Sequence, residues 1–498
     1  MSASIISDNK SKAREHFLIL PAFLISFLYL FYLACTTQMI LFHDAIGYEY
    51  LGSMIHTDGW IHYFKTGPHR EPVYPSMIAL SMHLGERLSL PYQFIQALLQ
   101  IGVLLVTQVS VFVLLRKLRV NNFLTSLTIL YLSFSPAIVN SALILYSEIA
   151  TYPLVLMIIL LSDALWRKLQ IQKPHSPDGH FLRVIVLALL LGVFSALLTF
   201  TKGIFELVLP LFLLPFACLT LKAFFQKKPA FYISLLAFFT LAVTFYTPLL
   251  LYKSANQKYN GHFTLTNRGS WALYGNLARR AEKLTSKRFL SALAYTAGVD
   301  VCQSLFDKES CAFWSYTTSD DIAFKKLDEL YKIPLNKDAI DPTLVKLAIA
   351  QWLSRPFQSL LLMGVESLKM FFWEFMSMAY VVYPDGVSTI LESPLYKNSL
   401  WFIMSFLTFL AILYLVKFLW FSQKNISYRP KPQDKPSTIL FFIFWFIALY
   451  SGCHSLFFVL PRYVFPLVPI YLILIAFFLE RIFFGLTKKG DVNHLPDS

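Results

Sequence analysis

Long apolar runs separated by short basic loops constrain this chain more than any other feature of its sequence. A helix needs about twenty apolar residues to cross the hydrocarbon core of a bilayer. Of the 498 residues, 56% are hydrophobic and only 14% are charged, far below the roughly 25% that is charged in soluble domains. We therefore predict an all-α polytopic membrane protein with about 10–12 transmembrane helices. The apolar runs predict ten crossings, over residues 17–42, 93–115, 123–141, 146–166, 184–201, 204–221, 230–251, 399–420, 438–458 and 464–484.

The basic residues predict how these helices are oriented. The net charge of +14 could indicate a nucleic-acid partner, but the lysines and arginines cluster in alternate short loops, which is typical of cytoplasmic loops. The first run has no small-residue cleavage site and is read as a retained helix. We expect a multi-pass plasma (inner) membrane protein with both termini in the cytoplasm and its active site facing the periplasm or outside. The basic clusters include Lys10, Lys12, Arg14, Arg116, Lys117, Arg119, Arg167, Lys168, Lys222, Lys227 and Lys228.

The predicted topology divides the chain into three regions. Residues 1–251 form an N-terminal transmembrane core, and its first outer loop, 43–92, is expected to carry the catalytic residues and a short juxtamembrane helix from Val73 to Leu84. Residues 252–355 form an extracytoplasmic loop domain, with helical runs from Leu273 to Leu284 and from Asp341 to Leu353. Residues 356–498 contain an interfacial segment, the last transmembrane helices and a short cytoplasmic tail.

Two features of these regions stay open at the level of sequence. Cys302 and Cys311 lie in the predicted outer domain, where they either form a local disulfide or stay free. Residues 357–382 are apolar but carry Glu366, Lys369 and Glu374, which are costly in hydrocarbon. We interpret this segment as interfacial or re-entrant, since a crossing would turn the basic cluster Lys424, Arg429, Lys431 and Lys435 outward.

Five ionisable residues on the predicted outer face form the candidate site. Asp44 follows the first span and Glu148 opens the fourth, and both are candidate catalytic acids. Arg70, Lys202 and Arg462 lie near outer turns and are candidate donor phosphate-binding residues. Fixed cations suit a phosphate-bearing substrate, because they hold the phosphate and offset its charge as it leaves. An acid could accept the proton of an attacking hydroxyl or amine.

Each of these residues alone also fits a simpler role. Asp44 could cap a helix or be solvated, and Glu148 could be an acid favoured by the helix dipole. Arg70, Lys202 and Arg462 could be snorkelling anchors. The functional interpretation is favoured because independent charge counts place all five on one face of the membrane.

Other chemistry has weaker signals in the sequence. A Gly-rich phosphate loop and a Cys-x-x-Cys pair are both missing, which argues against a nucleotide as the direct donor. His43, His62 and His69 fit no standard metal-ligand spacing. We therefore assign no metal site and no certain cofactor, and a divalent metal stays an open alternative that nothing in the sequence indicates.

Several short motifs, in this order, resemble those of the C-type (GT-C) membrane glycosyltransferases. They are Asp44 after the first span, Arg70-Glu71-Pro72-Val73-Tyr74, Thr201-Lys202-Gly203, and the run Arg462-Tyr463-Val464-Phe465-Pro466 to Pro469. The nearest branch is the protein O-mannosyltransferase and lipid A aminoarabinose transferase group (glycosyltransferase family 39). The resemblance implies a GT-C fold and transfer of a sugar from a polyprenyl-phosphate donor to a lipid, glycan or protein acceptor, outside the membrane, with membrane lipids as surroundings and no nucleic acid.

By resemblance, Asp44 matches the catalytic acid of the first loop, Glu148 the acid of the second outer turn, and Lys202 the lysine of Thr-Lys-Gly. Arg70 takes the place of the basic residue that contacts the lipid phosphate, and Arg462 that of the C-terminal arginine. Many members carry two adjacent acids where this chain has Asp44-Ala45, which makes Glu49 a candidate helper. The residues named as candidate substrate-binding side chains are Tyr48, Glu49, Tyr74 and Tyr463.

Two other functions compete with this interpretation. A transporter or lipid flippase would be expected to show related halves and charges near the midplane, neither of which is evident in the sequence. A polysaccharide polymerase or ligase also uses lipid-linked sugars, but relies on arginines and a histidine, whereas this chain offers Asp44 at the exit of its first span. The sequence identifies neither the sugar nor the acceptor.

Overall fold

The computed structural model describes residues 18–67, 70–170, 177–227, 230–266, 269–333, 337–374, 380–424 and 437–484. Helices dominate these residues, and long helices make up most of the N-terminal half. Its elements are α1 (Ile19–Thr36), β1 (Gln38–Met39), α2 (Asp44–Thr57), α3 (Gly59–Lys65), α4 (Val73–Leu88), α5 (Tyr92–Lys117), α6 (Asn122–Phe134), α7 (Pro136–Leu143), α8 (Glu148–Leu169), α9 (Pro177–Thr201), α10 (Phe205–Phe225) and α11 (Ala230–Asn260).

The second half begins with short helices and ends with long ones. Its elements are α12 (Gly269–Ala281), α13 (Ser286–Thr296), α14 (Val299–Leu305), α15 (Lys308–Ala312), α16 (Tyr316–Tyr331), α17 (Lys337–Ser354), α18 (Pro356–Leu368), a 3₁₀ turn (Lys369–Phe371), β2 (Val381–Val382), α19 (Asp385–Leu391), α20 (Pro394–Lys424), α21 (Ser437–Leu456), a second 3₁₀ turn (Pro461–Leu467), α22 (Val468–Leu479) and a final π turn (Glu480–Phe484).

Within the described residues, nine helices are long and apolar enough to cross a membrane, and the bent pair α6–α7 supplies a tenth if it counts as one span. These ten segments coincide with the ten predicted crossings, so the prediction of an all-α polytopic membrane protein is confirmed. The predicted basic residues Lys10, Lys12, Arg14 and Lys228, and those of the loop from Arg429 to Lys435, lie outside the described residues.

Helix α22 is the centre of the membrane bundle. Every residue from Val468 to Phe478 is buried, as expected for a helix that is apolar on all sides and surrounded by other helices. It packs against α5, α6, α8 and α20. The 3₁₀ turn that precedes it begins with Pro461 and Arg462 and is anchored by its buried residues from Val464 to Leu467.

The bend between α6 and α7 measures 52° and falls at Ser135-Pro136. A proline lacks the N–H that would continue the helical ladder and keeps the preceding residue extended. The freed polar groups are satisfied locally, because the Ser135 hydroxyl accepts the N–H of Ile138 at 3.3 Å. Glu374 completes the turn by accepting hydrogen bonds from Ser135 at 2.8 Å and from Tyr131 at 2.9 Å.

The first predicted outer loop folds as three helices, α2 to α4, and its predicted juxtamembrane helix is observed as α4. Just before α2, β1 pairs with β2 in an antiparallel ladder, with Gln38 opposite Val382 and Met39 opposite Val381. The N–H of Ile40 extends the ladder by donating to the carbonyl of Tyr380 at 2.9 Å. The chain leaving α1 is thereby fixed just ahead of Asp44.

The long polar stretch folds as the six helices α12 to α17. Helix α17 covers the predicted run from Asp341 to Leu353, whereas α12 ends at Ala281, before the predicted end at Leu284. Helices α12, α16 and α17 share a small core that includes Tyr274, Leu277, Leu330 and Leu344. Cys302 and Cys311, whose pairing the sequence left open, form a disulfide. The following segment forms α18, whose 13 residues are too few for a span, and residues 375–379 lie outside the described part of the chain.

Candidate functional site

Asp44 lies between two arginines that come from opposite ends of the sequence. It is the first residue of α2, and its Oδ1 accepts a hydrogen bond from Nη2 of Arg70. Its Oδ2 accepts a second hydrogen bond from Nη2 of Arg462, at 2.5 Å. The side chain of Asp44 is 24% exposed, so the cluster is partly shielded from solvent. Three of the five predicted site residues therefore meet at one carboxylate.

The other two predicted residues, Glu148 and Lys202, form a second ion pair. Glu148 opens α8 and is 3% exposed, and its Oε1 accepts a hydrogen bond from Nζ of Lys202 at 2.7 Å. Burial lowers the pKa of Lys202, but Glu148 and the nearby tyrosines raise it, and the net pKa lies above its ordinary value. Lys202 is therefore a permanent cation next to Glu148 at neutral pH.

The ring of Tyr463 connects the two ion pairs. Nζ of Lys202 lies 4.9 Å from the centre of this ring, and the guanidinium carbon of Arg462 lies 5.6 Å from it. The carbonyl of Tyr463 accepts a hydrogen bond from the hydroxyl of Tyr450 at 2.6 Å, which fixes the backbone of the turn. Arg462 also covers the ring of Tyr146, at 4.9 Å. Cation–π contacts of this kind hold the cations without neutralising them.

Two of the other candidate substrate-binding residues pack beneath the cluster. Tyr48 carries Arg70 over its ring at 5.1 Å, and its hydroxyl lies 3.0 Å from that of Ser147. Tyr74 contacts Tyr48 edge to face and donates a hydrogen bond to Gln100. Both tyrosines are buried, and burial raises the pKa of each. They position Arg70 and the turn that precedes α8.

The fourth candidate, Glu49, accepts a hydrogen bond from the hydroxyl of Tyr92, at the start of α5. It therefore ties α2 to α5. Whether Glu49 assists Asp44 stays a prediction.

Sequence reasoning did not single out Glu71, although the residue belongs to this charge network. Its Oε1 accepts the backbone N–H of Gly203 at 2.6 Å, which holds the turn that carries Lys202. A Cβ on residue 203 would lie 2.9 Å from this carboxylate, so glycine permits the close approach. With Glu71 included, three acids face three cations, and the cluster is close to neutral.

His454 is a second residue that sequence reasoning missed, since it lies inside an apolar run with no motif around it. It is 6% exposed, and neither ring nitrogen has a hydrogen-bond partner among the described residues. Its ring lies 5.2 Å from the ring of Tyr463 and 4.7 Å from that of Tyr450. His454 therefore lies one aromatic layer away from Lys202 and Arg462.

In the part of the chain that the structure describes, no three His, Cys, Asp or Glu residues are placed to hold a metal ion. The ring of His43 contacts that of Phe42 at a tilt, with ring centres 3.9 Å apart, and His69 lies outside the described residues. The carboxylates of Asp44 and Glu148 are instead bound to arginine and lysine.

These features define a multi-pass membrane protein with a partly buried, charge-balanced cluster where its helices end. No protein-family model matches the chain, and no curated protein matches it either. Among solved structures, it is similar to the apo crystal structure of the oligosaccharyltransferase from Archaeoglobus fulgidus. That similarity has a TM-score of 0.46 and 11% identity, over 95% of this chain and 51% of that chain. The chain thus spans about half the length of that protein, and a likeness at this level assigns no activity.

Proposed function

We propose that this chain is a GT-C glycosyltransferase that transfers a sugar from a polyprenyl-phosphate donor to a hydroxyl or amine on a lipid, glycan or protein acceptor. The observation that carries the proposal is the binding of Asp44 between Arg70 and Arg462, beside the pair of Glu148 and Lys202. Ionisable groups at membrane depth are costly and mark function by default. An acid among fixed cations is the set that sugar transfer from a phosphate requires.

The site faces the extracytoplasmic side in this proposal. The predicted orientation from basic loops puts the exit of α1 and helices α12 to α17 outside. The disulfide between Cys302 and Cys311 supports this orientation, because disulfides persist on the oxidising side of a membrane.

The ion pairs suggest how the donor enters. Arg70 and Arg462 both donate hydrogen bonds to Asp44. A donor phosphate therefore binds by replacing the Asp44 carboxylate as the acceptor of these hydrogen bonds. Arginine binds phosphate oxygens well, since its planar fork matches their spacing. Donor binding then releases Asp44 from its two cations at the moment when a base is needed. Lys202 stays with Glu148 or adds a third contact to the phosphate.

The transfer step follows from these positions. The oxygen or nitrogen of the acceptor attacks the anomeric carbon, and the bond from that carbon to the phosphate oxygen breaks. Polyprenyl phosphate leaves with both electrons of that bond and is stabilised by the arginines. Asp44 takes the proton of the acceptor. Glu148 orients the sugar or Lys202.

The test incubates the purified protein with a panel of labelled polyprenyl-phosphate sugars and follows release or transfer of the label. The Asp44→Asn variant keeps the shape of the side chain and removes its basicity, so transfer should fall by about 10²- to 10⁴-fold. Donor binding should be equal or tighter, because the phosphate no longer has to displace a charged carboxylate from the two arginines. Asp58→Asn, an exposed acid at the end of α2, is the matched control and should keep full activity.

Two results would contradict the proposal. If no sugar in the panel is released or transferred, the donor class is wrong. If Asp44→Asn and Glu148→Gln both transfer sugar at the rate of the unmodified protein, the acid–base mechanism is wrong.

His454 favours a second candidate, a polysaccharide polymerase or ligase, because that class relies on arginines and a histidine. The residue is buried beside Tyr463, within reach of the same cluster. The two candidates differ in which variant loses activity. A polymerase or ligase predicts that His454→Phe is inactive while Asp44→Asn retains transfer, and the proposed glycosyltransferase predicts the reverse.

A further inference from the structure

A second group of buried charges lies where α12 meets α18. Arg279 and Arg280 are near the end of α12, Glu366 is near the end of α18, and Lys369 opens the first 3₁₀ turn. All four are buried, with exposures between 1% and 7%. Three cations therefore surround one carboxylate. Buried charges are normally paired because desolvation is costly, so this excess of positive charge needs an explanation.

Two of the three cations have hydrogen-bond acceptors in the protein, although Nε of Arg279 is buried with no partner among the described residues. Arg279 donates to the side-chain oxygen of Asn276 at 2.6 Å and to the carbonyl of Ser315 at 3.0 Å. Lys369 donates to Glu366 at 2.8 Å. The ring of Phe458 lies between the two cations, 5.4 Å from Arg279 and 4.2 Å from Lys369. These contacts account for the burial of Arg279 and Lys369.

Arg280 differs from its neighbours, because its Nη1 and Nη2 are buried and have no partner among the described residues. Burial, with a contribution from Arg279, lowers the pKa of Arg280 to about 10. The hydroxyl of Ser359 is also buried without a partner there, and the neighbouring Gln358 donates to the carbonyl of Arg280 at 2.6 Å. Buried donors without acceptors are costly, more so when charged.

We propose that Arg280, with Arg279 and Lys369 beside it, binds a phosphate group at a site separate from the Asp44 cluster. A phosphomonoester carries about −1.5 to −2 at pH 7, which matches the excess of positive charge. The two free ends of a guanidinium group fit two phosphate oxygens. The phosphate comes either from a lipid headgroup or from free inorganic phosphate, and the two sources are separable by experiment.

The segment that links α21 to Arg462 passes directly beside this cluster. Glu366 accepts the backbone N–H of Val459 at 3.2 Å, and Asn276 donates to the carbonyl of Leu456 at 3.1 Å. A phosphate held by Arg280 therefore stabilises the packing of α12 and α18 against this segment. The inference does not depend on sugar transfer, since it rests on groups outside the Asp44 cluster.

The test follows thermal unfolding of the full-length protein in detergent as inorganic phosphate is added, with sodium chloride at matched ionic strength as the reference. A ligand of the native state raises Tm with its concentration. The Tm of the unmodified protein should rise, and Arg280→Met should bind phosphate roughly ten- to a hundredfold more weakly. Arg288→Met, which removes a half-exposed arginine paired with Glu282, is the matched control and should keep the rise.

Farnesyl phosphate is the second probe, and the proteins are compared with it in an Arg70→Ala/Arg462→Ala background, because the proposed donor site would bind it as well. Binding at least roughly tenfold tighter than that of inorganic phosphate, and lost in Arg280→Met, supports a lipid headgroup as the ligand. Equal affinities support free phosphate. Arg462→Ala, which removes a phosphate-binding cation of the Asp44 cluster, should retain the response to inorganic phosphate.

Three outcomes would overturn the inference: neither probe raises the Tm of the unmodified protein, Arg280→Met responds like the protein from which it was made, or Arg462→Ala abolishes the response to inorganic phosphate. If Arg280→Met does not yield folded protein, Arg280→Lys replaces it. Lysine keeps the charge but loses the fork, so an unchanged dissociation constant in this variant also counts against the site.

Discussion

At the scale of single residues, the candidate site is a set of cations whose partners can be exchanged. Arg70 and Arg462 hold Asp44, and Lys202 holds Glu148. We inferred from the sequence that three cations at one surface need an anionic partner. The protein supplies carboxylates for this purpose, and the role of the cations in binding donor phosphate stays a prediction.

Replacing Arg70, Lys202 or Arg462 by alanine should therefore weaken donor binding. A charge-assisted hydrogen bond contributes about 1.5–3 kcal/mol, so we expect dissociation constants roughly ten- to a hundredfold higher. The measurement is equilibrium binding of a labelled donor to the purified variants. Arg87→Ala, an exposed arginine at the end of α4, should bind donor normally. Unchanged affinity in all three variants would leave them as snorkelling anchors.

Glu374 is a titratable residue outside the candidate site. Burial raises its pKa to about 7 from an ordinary value of 4.5, even though Ser135 and Tyr131 donate to it. The native state thus keeps a proton that the unfolded chain releases. The contribution of this bound proton to the free energy of unfolding is fully present below pH 4.5 and is lost as the pH rises through 7.

The Tm of the protein should therefore fall between pH 4.5 and 7, relative to that of a Glu374→Gln variant. The corresponding change in the free energy of unfolding is roughly 3 kcal/mol at most. Thermal unfolding of both proteins across this range in one detergent checks the prediction. Parallel pH profiles for the two proteins would show that the pKa of the Glu374 carboxyl is not raised in the native state.

At the scale of elements, packing of helix α12 against α16 depends on a close approach at Gly275. A Cβ there would lie 2.1 Å from the carbonyl oxygen of Ser319, which is backbone and cannot turn aside. Gly275→Ala should destabilise the contact of α12 with α16 by about 1–3 kcal/mol. Gly364→Ala, in α18, has nothing within 4 Å of its Cβ and should be neutral or stabilising by up to about 1 kcal/mol. Comparing the Tm of the two variants tests this, and equal shifts would contradict it.

The elements that the sequence predicts well are those specified by local composition. An apolar run of sufficient length becomes a span wherever it occurs, so the ten crossings could be placed before the structure. The bend at Ser135-Pro136 was missed, although proline there gave a signal. The buried charges of Arg279 and Arg280 were not visible either, because α12 reads as an ordinary amphipathic helix.

At the scale of the whole molecule, the orientation in the membrane is the prediction on which the proposed site depends. We expect Lys325→Cys, on the exposed surface of α16, to react with an impermeant thiol reagent in intact cells. Gln226→Cys, just after α10, should react only after lysis. The exposed native thiols of Cys35 and Cys218 are first replaced by serine. The opposite pattern of labelling would reverse the orientation and move the candidate site to the cytoplasm.

The assembly of the site could be predicted from sequence only in part. Charge counts placed Asp44, Arg70, Glu148, Lys202 and Arg462 on one face, and the structure brings them together. Which acid pairs with which base could not be predicted, because Asp44 and Arg462 are 418 residues apart and their contact depends on packing of the whole bundle. Glu71 was passed over for the same reason, since its partner is a backbone N–H on a distant turn.

The pairing of β1 with β2, and of Asp44 with Arg462, also has a consequence for biosynthesis. The first helix enters the membrane while most of the chain is still untranslated. Asp44 therefore cannot pair with Arg462 until the final helices have left the ribosome. A nascent chain that stops after α20 has inserted most of its helices but cannot close this ion pair. Expressing residues 425–498 as a separate polypeptide in the same cell would show whether this fragment docks on the truncated chain and forms the ion pair of Asp44 with Arg462.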